Sequence, residues 1–326
     1  MSKSVLVTGA GGFIGSHLTE ALVQSGHQVH ALVRYNSNNH WGWLNTLRPE
    51  IKKEIKVTLG DIRDAEQLRS LIQGKDLVYH LAALIAIPYS YQATRSYIET
   101  NVTGTLNVLH AALAHDARVI HTSTSEVYGT ALYVPIPEKH PLQGQSPYSA
   151  SKIAADMLAE SFYRSFSLPV SIVRPFNTFG PRQSARAVIP TILSQLFSDK
   201  ETLELGALSP TRDLNYVENT VSAFIRAAES EASIGQVINF GSGYEISIED
   251  LAKLLMKLTG IEKPLVSTQE RYRPEASEVE RLCCDASKAA QLLNWSAQYT
   301  LEQGLVKTID WIKDNMQHYR PESYTV

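Results

Sequence analysis

The sequence contains only two cysteines, and they stand side by side as Cys283 and Cys284. Adjacent cysteines rarely have the geometry for a disulfide with each other, and no third cysteine is available to form a framework. We therefore expect a reducing, cytoplasmic compartment in which both thiols are packing residues. The ten histidines are scattered along the chain without the spacing of metal ligands, so we predict no metal site.

Long apolar runs and blocks of like charge are also missing. No apolar stretch reaches the roughly 18 residues that span a bilayer, and we expect no signal peptide before the first strand. The formal net charge is −3, which gives no reason to expect nucleic acid or an anionic membrane as a partner. The 326 residues are 44% hydrophobic, enough to bury one large core or two unequal ones.

The first motif is a glycine-rich turn between an apolar strand and a helix. Residues 4–8 are mostly apolar and β-branched, as in a buried strand, and glycines then recur at every third position. Glycines permit a tight turn and let the backbone approach a pyrophosphate, which the free N–H groups of the helix would face. The predicted dinucleotide-binding residues of this turn are Gly9, Gly12, Phe13, Ile14 and Gly15. A purely structural glycine turn is the alternative.

The next two predicted strands bear on the choice of cofactor. An acid at the end of strand 29–33 would bind the ribose 2′-hydroxyl of NAD, but Val33 stands there and Arg34 follows. Because an arginine can pair with a 2′-phosphate, we predict NADP, with NAD as the alternative and an exposed Arg34 as the plainer interpretation. Asp61 follows strand 56–59 and is predicted either to bind the adenine amino group or to cap the next helix.

Small or apolar residues follow the third and fourth predicted strands, 56–59 and 77–81. Small side chains after strand 77–81 would let the backbone approach the nicotinamide ribose, so Ala82 and Ala83 are predicted to bind the cofactor. Ile62 and Leu81 are further predicted cofactor residues. Because strands alternate with helices, we predict an α/β fold with a doubly wound parallel sheet of the Rossmann type. Ligands of such a sheet bind outside the carboxyl ends of its strands.

The stretch from 121 to 152 contains the candidate catalytic residues, which are Thr124, Ser125, Glu126, Tyr148 and Lys152. Tyr148 and Lys152 are four apart on a predicted helix, 146–166, so they lie on one face. An ammonium beside a phenol favours the phenolate and should lower the pKa of Tyr148. A phenolate can take the proton of an alcohol while hydride leaves the same carbon. Alone, the pair is a weak signal, and two partly exposed helix residues are the better interpretation of it.

The pattern changes after Pro175, where prolines and arginines stand among polar residues. We predict a dinucleotide-binding domain at 1–176 plus 213–240, because strand 237–240 is expected to return to the sheet. A smaller, discontinuous α/β substrate lobe would comprise 177–212 plus 241–326, with 321–326 frayed. Guanidinium groups match phosphate oxygens well, although surface ion pairs are the alternative for each arginine. The predicted substrate-binding residues are Asn177, Arg182, Arg212 and Arg273.

Together these motifs resemble the extended short-chain dehydrogenase/reductases that act on nucleotide sugars. The matching stretches are residues 9–15, 60–62 and 81–83, Tyr148-x-x-x-Lys152 and Arg174-Pro175-Phe176-Asn177. Within that family, Thr124-Ser125-Glu126 and Arg34 resemble the GDP-mannose 4,6-dehydratases, which use NADP. Residues 177–186 are similar to dehydratases that act on N-acetylglucosamine nucleotides in bacterial surface-sugar pathways.

The resemblance implies a dehydratase that converts an NDP-hexose, here an NDP-N-acetylglucosamine, into a 4-keto-6-deoxy sugar with tightly bound, recycled cofactor. Tyr148 would take the proton of the 4-hydroxyl, Lys152 would hold the nicotinamide ribose, and Thr124 would bond to the same sugar oxygen. Glu126 would remove the C5 proton. Ser125 replaces the aspartate common in the family and would orient the leaving hydroxyl or a water.

The resemblance also implies a homodimer, formed through helices 98–114 and 147–166. Three other functions stay open from the residues. A UDP-glucuronate decarboxylase also shows Thr-Ser-Glu before Tyr-x-x-x-Lys, and a 4-epimerase would need only the tyrosine and lysine. An NAD(P)-sensing binding protein would need the glycine turn but neither Tyr148 nor Lys152.

Overall fold

A seven-stranded parallel sheet forms the centre of the protein, for which a computed structural model describes residues 2–319. The expected fraying of 321–326 lies outside the described residues. The strands of the described chain are β1 (Ser4–Thr8), β2 (Gln28–Arg34), β3 (Ile55–Gly60), β4 (Leu77–His80), β5 (Arg118–Thr122), β6 (Val170–Pro175), β7 (Asn177–Phe179), β8 (Leu203–Leu205), β9 (Thr211–Tyr216), β10 (Val237–Phe240), β11 (Glu245–Ser247), β12 (Leu265–Ser267) and β13 (Arg281–Leu282). Its α-helices are α1 (Phe13–Gln24), α2 (Pro49–Lys53), α3 (Ala65–Ile72), α4 (Ile87–Gln92), α5 (Thr94–Tyr97), α6 (Gly104–Ala114), α7 (Pro147–Phe166), α8 (Val188–Leu196), α9 (Val217–Glu229), α10 (Ile248–Thr259), α11 (Ser287–Leu293) and α12 (Leu301–Asp314).

The sheet has the order β3-β2-β1-β4-β5-β6-β10, and every neighbouring pair is parallel. Strand β1 lies between β2 and β4, so the winding reverses beside β1, where sheets of this kind bind their ligands. Val5, Leu6 and Val7 of β1 are fully buried, as expected for a strand covered on both faces. The prediction of a doubly wound α/β fold is confirmed.

Helices cover both faces of the sheet. Leu18 of α1 and Phe224 of α9 belong to the core on one face. Leu68 of α3, Leu109 of α6 and Phe162 of α7 belong to the core on the other. The predicted helix 98–114 is irregular in its first part, because 98–103 forms a π-helical turn before α6 begins. No helix within residues 2–319 combines the length and apolar character needed to cross a bilayer.

The second lobe is built around β9, which pairs antiparallel with β11 and parallel with β7 and β13. A separate pair, β8 and β12, lies beside it. Strand β10 returns to the central sheet and pairs with β6, as the sequence predicts. The predicted boundary between residues 212 and 213 falls inside β9, so this strand belongs to both predicted segments.

Helix α7 begins where the sequence predicts. Ser146 is its N-cap, and its hydroxyl accepts a hydrogen bond from the Ser149 N–H while the Ser149 hydroxyl bonds back to the Ser146 N–H. Pro147 occupies the first helical position, where its missing N–H costs nothing. This well-defined start fixes the rotation of α7 and turns Tyr148 and Lys152 inward, where both are buried.

Candidate functional site

A cavity of about 1340 Å³ lies along the carboxyl edge of the sheet and extends to the second lobe. It is lined by the glycine turn, by residues after β3, β4 and β5, by the start of α7, and by loops of the second lobe. The predicted site residues that line it are Gly9, Gly12, Phe13, Ile14, Gly15, Arg34, Asp61, Ile62, Leu81, Ala82, Ala83, Thr124, Ser125, Glu126, Tyr148, Lys152, Asn177, Arg212 and Arg273. Arg182 is absent from this lining.

The glycine turn has the geometry of an anion-binding site. Gly9 has a φ of +70°, and a Cβ there would lie 2.8 Å from the Ala82 nitrogen, while a Cβ on Gly15 would lie 2.2 Å from the Gly9 oxygen. Helix α1 begins after Gly12, and the structure of residues 2–319 shows neither a side-chain cap nor an acidic residue in its first turn. Its first N–H groups therefore fit the pyrophosphate of a dinucleotide.

Arg34 and Asp61 lie at the far end of this part of the cavity. Arg34 is exposed at the end of β2. Asp61 accepts from Arg63 Nη2 at 2.7 Å and Nε at 3.0 Å, and these hydrogen bonds, with the charges of Arg63 and Arg34, hold the pKa of Asp61 below its usual value. The alternative in which Asp61 caps the next helix is wrong, because Asp64 accepts the hydrogen bond at the start of α3.

Tyr148 and Lys152 occupy successive turns of α7. Tyr148 hydrogen-bonds to the Thr124 side chain, whereas Lys152 Nζ donates to the Thr122 carbonyl at 2.6 Å. Burial raises the pKa of Tyr148 above its usual value; the Thr124 hydrogen bond opposes this shift, and the charge of Glu126 adds to it. The expectation that Lys152 lowers the pKa of Tyr148 is therefore wrong for this structure, because the desolvation of a buried phenolate is the larger effect.

Burial also changes the protonation of Lys152. Desolvation lowers its pKa to about 8, and the negative charge of Asp156 opposes that shift. The ammonium is thus present at neutral pH but close to losing its proton. A lysine of this kind can both donate hydrogen bonds and respond to a second charge in the cavity.

Ser125 and Glu126 begin a short 3₁₀ helix, Ser125–Tyr128, directly after β5. The Thr124 hydroxyl caps that helix by accepting from the Glu126 N–H at 3.2 Å, which turns both side chains to the cavity. Glu126 is only 9% exposed, and its charge acts on both Tyr148 and Arg212. A carboxylate, a phenol and a guanidinium from three distant parts of the chain therefore meet in one place.

The arginines of the second lobe share an acidic partner that sequence reasoning missed. Glu278 accepts from Arg212 at 3.0 Å and from Arg273 at 3.4 Å, and all three line the cavity. The positions of these three residues in the sequence do not predict the cluster, because it forms only when β9 and β13 are neighbours in the sheet. Asn177 also lines the cavity, and its buried Oδ1 has no hydrogen-bond partner among the described residues.

Arg182 does not belong to this site. Its Nη2 lies 2.8 Å from Glu20 Oε2 on α1, and its Nη1 lies 3.5 Å from the Ser16 hydroxyl. The prediction that Arg182 binds substrate is therefore a misassignment. The loop turns the guanidinium away from the cavity and towards an acid that sequence spacing could not identify.

A buried polar network lies behind Lys152. Asp156 Oδ2 accepts from Arg174 Nη2 at 2.9 Å and from the Ser123 hydroxyl at 2.7 Å, while Oδ1 faces His121 Nε2 at 3.2 Å. Burial lowers the pKa of His121, so the neutral ring donates its Nε2–H to the carboxylate. Asp156 is four residues after Lys152, and that spacing on one helix face is the signal that could have found it.

Within residues 2–319, no group of three or more histidine, cysteine or acidic side chains is arranged to hold a metal ion. The cavity presents a phenol, an ammonium, a carboxylate and a guanidinium beside a glycine turn that fits a dinucleotide.

The sequence and the fold are similar to those of known proteins. Residues 6–308 match the family model described as GDP-mannose 4,6 dehydratase. A UDP-N-acetyl-alpha-D-glucosaminuronate decarboxylase from Bacillus cytotoxicus is 32% identical over 96% of this chain and 99% of its own. A UDP-glucose 4-epimerase from Mycolicibacterium smegmatis is 33% identical over 96% of this chain and 99% of its own.

A solved structure extends the likeness to three dimensions. The crystal structure of DesIV, a dTDP-glucose 4,6-dehydratase from Streptomyces venezuelae with NAD bound, superposes with a TM-score of 0.87. The two chains are 28% identical, and the superposition covers 98% of this chain and 99% of DesIV. The fold and site thus define an enzyme of the nucleotide-sugar dehydratase, epimerase and decarboxylase group. The chain belongs to the GDP-mannose 4,6-dehydratase family of extended short-chain dehydrogenase/reductases.

Proposed function

We propose that this protein is a nucleotide-sugar 4,6-dehydratase that converts an NDP-N-acetylglucosamine into the NDP-4-keto-6-deoxy sugar. The observation that carries the proposal is the place of Glu126, whose charge acts on the Tyr148 phenol inside one cavity. An enzyme that only oxidised and reduced C4 would have no use for a second base there. A dehydratase needs one to remove the C5 proton.

The side chains divide the reaction between them. Tyr148, as phenolate, accepts the proton of the sugar 4-hydroxyl, and Thr124 hydrogen-bonds to the same oxygen. A nicotinamide dinucleotide held at the glycine turn of Gly9, Gly12 and Gly15 would supply the hydride acceptor for C4 and the hydride donor for C6.

Once C4 is a ketone, the C5 proton is acidic, and Glu126 removes it and passes it to the departing 6-hydroxyl, which leaves as water. When hydride reaches C6, C5 takes up one proton from water, which balances the proton that Tyr148 removes from the 4-hydroxyl and releases to water. Ser125 is 2% exposed and orients the departing 6-hydroxyl. A serine is too weak an acid to protonate the hydroxyl alone, so the proton comes from Glu126.

Lys152 acts by charge and by hydrogen bonding. In the structure its Nζ bonds to the Thr122 carbonyl, and an ammonium held there can donate to the cofactor ribose. The burial that raises the pKa of Tyr148 means that the free enzyme holds a neutral phenol. We propose that the positive charges of Lys152 and of the oxidised cofactor together favour the phenolate once the cavity is filled.

One observation favours a second candidate, decarboxylation of a nucleotide hexuronate. The Arg212 guanidinium interacts with Glu126, and a cation at that position could hold a carboxylate on C6. The relative from Bacillus cytotoxicus is named as a decarboxylase. In this alternative the C4 ketone promotes loss of carbon dioxide, with no water eliminated.

A product assay separates the candidates. The purified enzyme is incubated with the UDP-, GDP-, CDP- and dTDP-linked forms of N-acetylglucosamine and glucose, and with UDP-glucuronate. A 4,6-dehydratase gives a product lighter by one water, with the alkaline absorbance of a 4-keto sugar. Carbon dioxide from the glucuronate arm, with every hexose arm unchanged, would replace the proposal with the second candidate.

We propose NADP as the cofactor, because Arg34 stands at the end of β2 and Asp61 is already engaged by Arg63. Since hydride leaves and returns within each turnover, the cofactor should remain bound through purification. Chromatography of the nucleotide released by denaturing the purified enzyme tests both statements. NAD in that fraction would correct the identity of the cofactor, and no nucleotide would contradict tight binding.

We further propose that the protein works as a cytoplasmic homodimer. Helix α7 exposes Met157, Tyr163 and Phe166, and a second copy could cover them. Light scattering on the purified protein tests the dimer. The segments 1–176 plus 213–240 are proposed to bind the cofactor, and 177–212 plus 241–326 the nucleotide sugar, with β9 joining the two.

A further inference from the structure

Arg182 has an unusual environment that the proposed chemistry does not use. It follows Gly180 and Pro181, and its φ is +67°, in the left-handed region that side chains rarely adopt. Its guanidinium pairs with Glu20 at 2.8 Å, and only 12% of its side chain is exposed. A strained backbone held by a nearly buried ion pair indicates a conformation that the surrounding structure enforces.

A second contact holds the same loop to the same helix. His17 Nε2 lies 2.9 Å from the Pro181 carbonyl. Burial and the charge of Arg182 lower the pKa of His17 to about 4, so the neutral ring donates to that oxygen. Helix α1 therefore holds residues 181–182 through one ion pair, from Glu20, and one hydrogen bond, from His17.

The loop beyond this attachment reaches the substrate side of the cavity. Gln183, Ser184, Arg186 and Ala187 line the cavity, and the Ser184 hydroxyl accepts from Arg186 Nε at 3.1 Å. Helix α1 starts at the glycine turn, so its first residues line the opposite, cofactor side. The Glu20–Arg182 pair thus joins the element that faces a pyrophosphate to the loop that presents a guanidinium to the substrate.

We propose that Arg182 is a positioning residue whose ion pair with Glu20 couples the cofactor-binding helix to the substrate-binding loop 183–187. This inference rests on the proposed function for the identity of the two ligands. Cofactor bound at the start of α1 fixes the helix, and the helix fixes the loop, so Arg186 meets the diphosphate in a set position. Because such coupling is reciprocal, a nucleotide in the substrate site should in turn slow the release of the cofactor.

The first test uses the purified holoenzyme and the tightest binder among UDP, GDP, CDP and dTDP, measured by calorimetry. In Arg182→Ala and Glu20→Gln, we expect the Kd of that nucleotide to rise at least fivefold. The double exchange Glu20→Arg with Arg182→Glu should recover most of the loss. The matched control is Lys253→Ala, which removes an exposed ion pair with Glu249 on α10 and should leave the Kd unchanged.

The second readout separates coupling from general damage. The nucleotide should slow cofactor release on gel filtration in the wild type and in Lys253→Ala, but not in Glu20→Gln, which keeps the size of the side chain. In turnover, KM should rise while kcat stays within twofold. A nucleotide that slows cofactor release equally in the wild type and in Glu20→Gln, or a double exchange that recovers nothing, would overturn the coupling.

Failure of the proposed function would look different. If no nucleotide sugar is converted, the binding and release measurements still report on the Glu20–Arg182 pair. If the enzyme turns over normally but nucleotide binding does not affect cofactor release, the proposed function stands and only the coupling is contradicted.

Discussion

Lys152 donates to the main-chain carbonyl of Thr122 at 2.6 Å, so the ammonium of α7 is anchored to the end of β5. This contact holds the lysine over the carboxyl edge of the sheet, where a cofactor ribose would lie. Burial of the same side chain lowers the pKa of Lys152 to about 8, against the opposing charge of Asp156. The lysine is thus fixed in place by a hydrogen bond and made sensitive to pH by its burial.

We expect Lys152→Met to be more stable than the wild type at pH 7, and the difference to shrink as the pH rises from 8 to 10.5. The folded pKa of about 8 lies below the ordinary value of 10.5, so between them the unfolded chain binds more protons and the wild type gains stability with pH. The free energy of unfolding of the wild type should rise by about 1–3 kcal/mol between pH 8 and pH 10.5. Urea denaturation of both proteins at several pH values measures it, and a difference independent of pH would contradict the shift.

Asp156→Asn should move the alkaline limb of kcat/KM to lower pH. The Asp156 carboxylate supports the charge of Lys152, so its removal lowers the pKa of the lysine further. We expect the wild type to lose activity above pH 8 and the variant to lose it about one unit earlier. Asp310→Asn, at an exposed position of α12, is the control. Superimposable profiles for Asp156→Asn and the control would show that Asp156 has only a structural role.

The same carboxylate should matter for acid stability. Hydrogen bonds and charges from His121, Arg174 and Ser123 outweigh burial and lower the pKa of Asp156 to about 2. Its stabilising contribution is therefore complete above the ordinary value of 3.8 and is lost as the pH falls towards 2. Asp156→Asn leaves Arg174 buried without its anion, which costs about 3–5 kcal/mol at pH 7. Thermal unfolding at pH 7 and pH 3 should show the gap between variant and wild type narrowing in acid.

Glu126→Gln should separate oxidation from elimination. The amide keeps the size of the side chain but cannot take the C5 proton, so the cofactor should become reduced while no water is lost. We expect turnover to fall by about 10²–10⁴-fold. Absorbance of the reduced cofactor after a single mixing, followed by mass analysis of the sugar, distinguishes the steps. Unchanged turnover would remove Glu126 from the mechanism and favour an epimerase.

Arg212→Ala should raise KM more than Arg273→Ala does. The Arg212 side chain is 9% exposed and that of Arg273 is 28% exposed, so water screens the second charge more. If Arg212 binds a phosphate of the substrate, as the sequence predicts, loss of this buried guanidinium should cost about 2–4 kcal/mol, or a KM raised about 30- to 1,000-fold. Steady-state kinetics with the preferred nucleotide sugar give both values. Equal increases in KM for the two variants would show that the exposure of an arginine does not determine how much it contributes to substrate binding.

Sequence reasoning worked best where the signal is local. The start of α7 at Ser146 and Pro147 depends on neighbouring residues, and so does the glycine turn before α1. The meeting of Gly9, Asp61, Ala82 and Thr124 in one cavity was also predictable, because all four lie just past the ends of parallel strands, which share one edge. That placement holds whatever the side chains of the second lobe do.

What the sequence did not reveal depends on partners far away in the chain. Glu278 is 66 residues from Arg212, and only the pairing of β9 with β13 brings them together. Arg182 was misassigned because an arginine in a loop has the same sequence signature whether it faces a phosphate or Glu20. The pKa of Tyr148 was misjudged because burial cannot be read from the spacing of two residues.

Strand β10 completes the central sheet only after the chain has passed through β7, β8 and β9 of the second lobe. A ribosome must therefore synthesise about three quarters of the polypeptide before the central sheet acquires its last strand. Cutting the gene near codon 176 would leave β6 with an unpaired border, prone to self-association. The two halves are consequently not interchangeable modules, and chimeras with relatives should be joined outside 1–240.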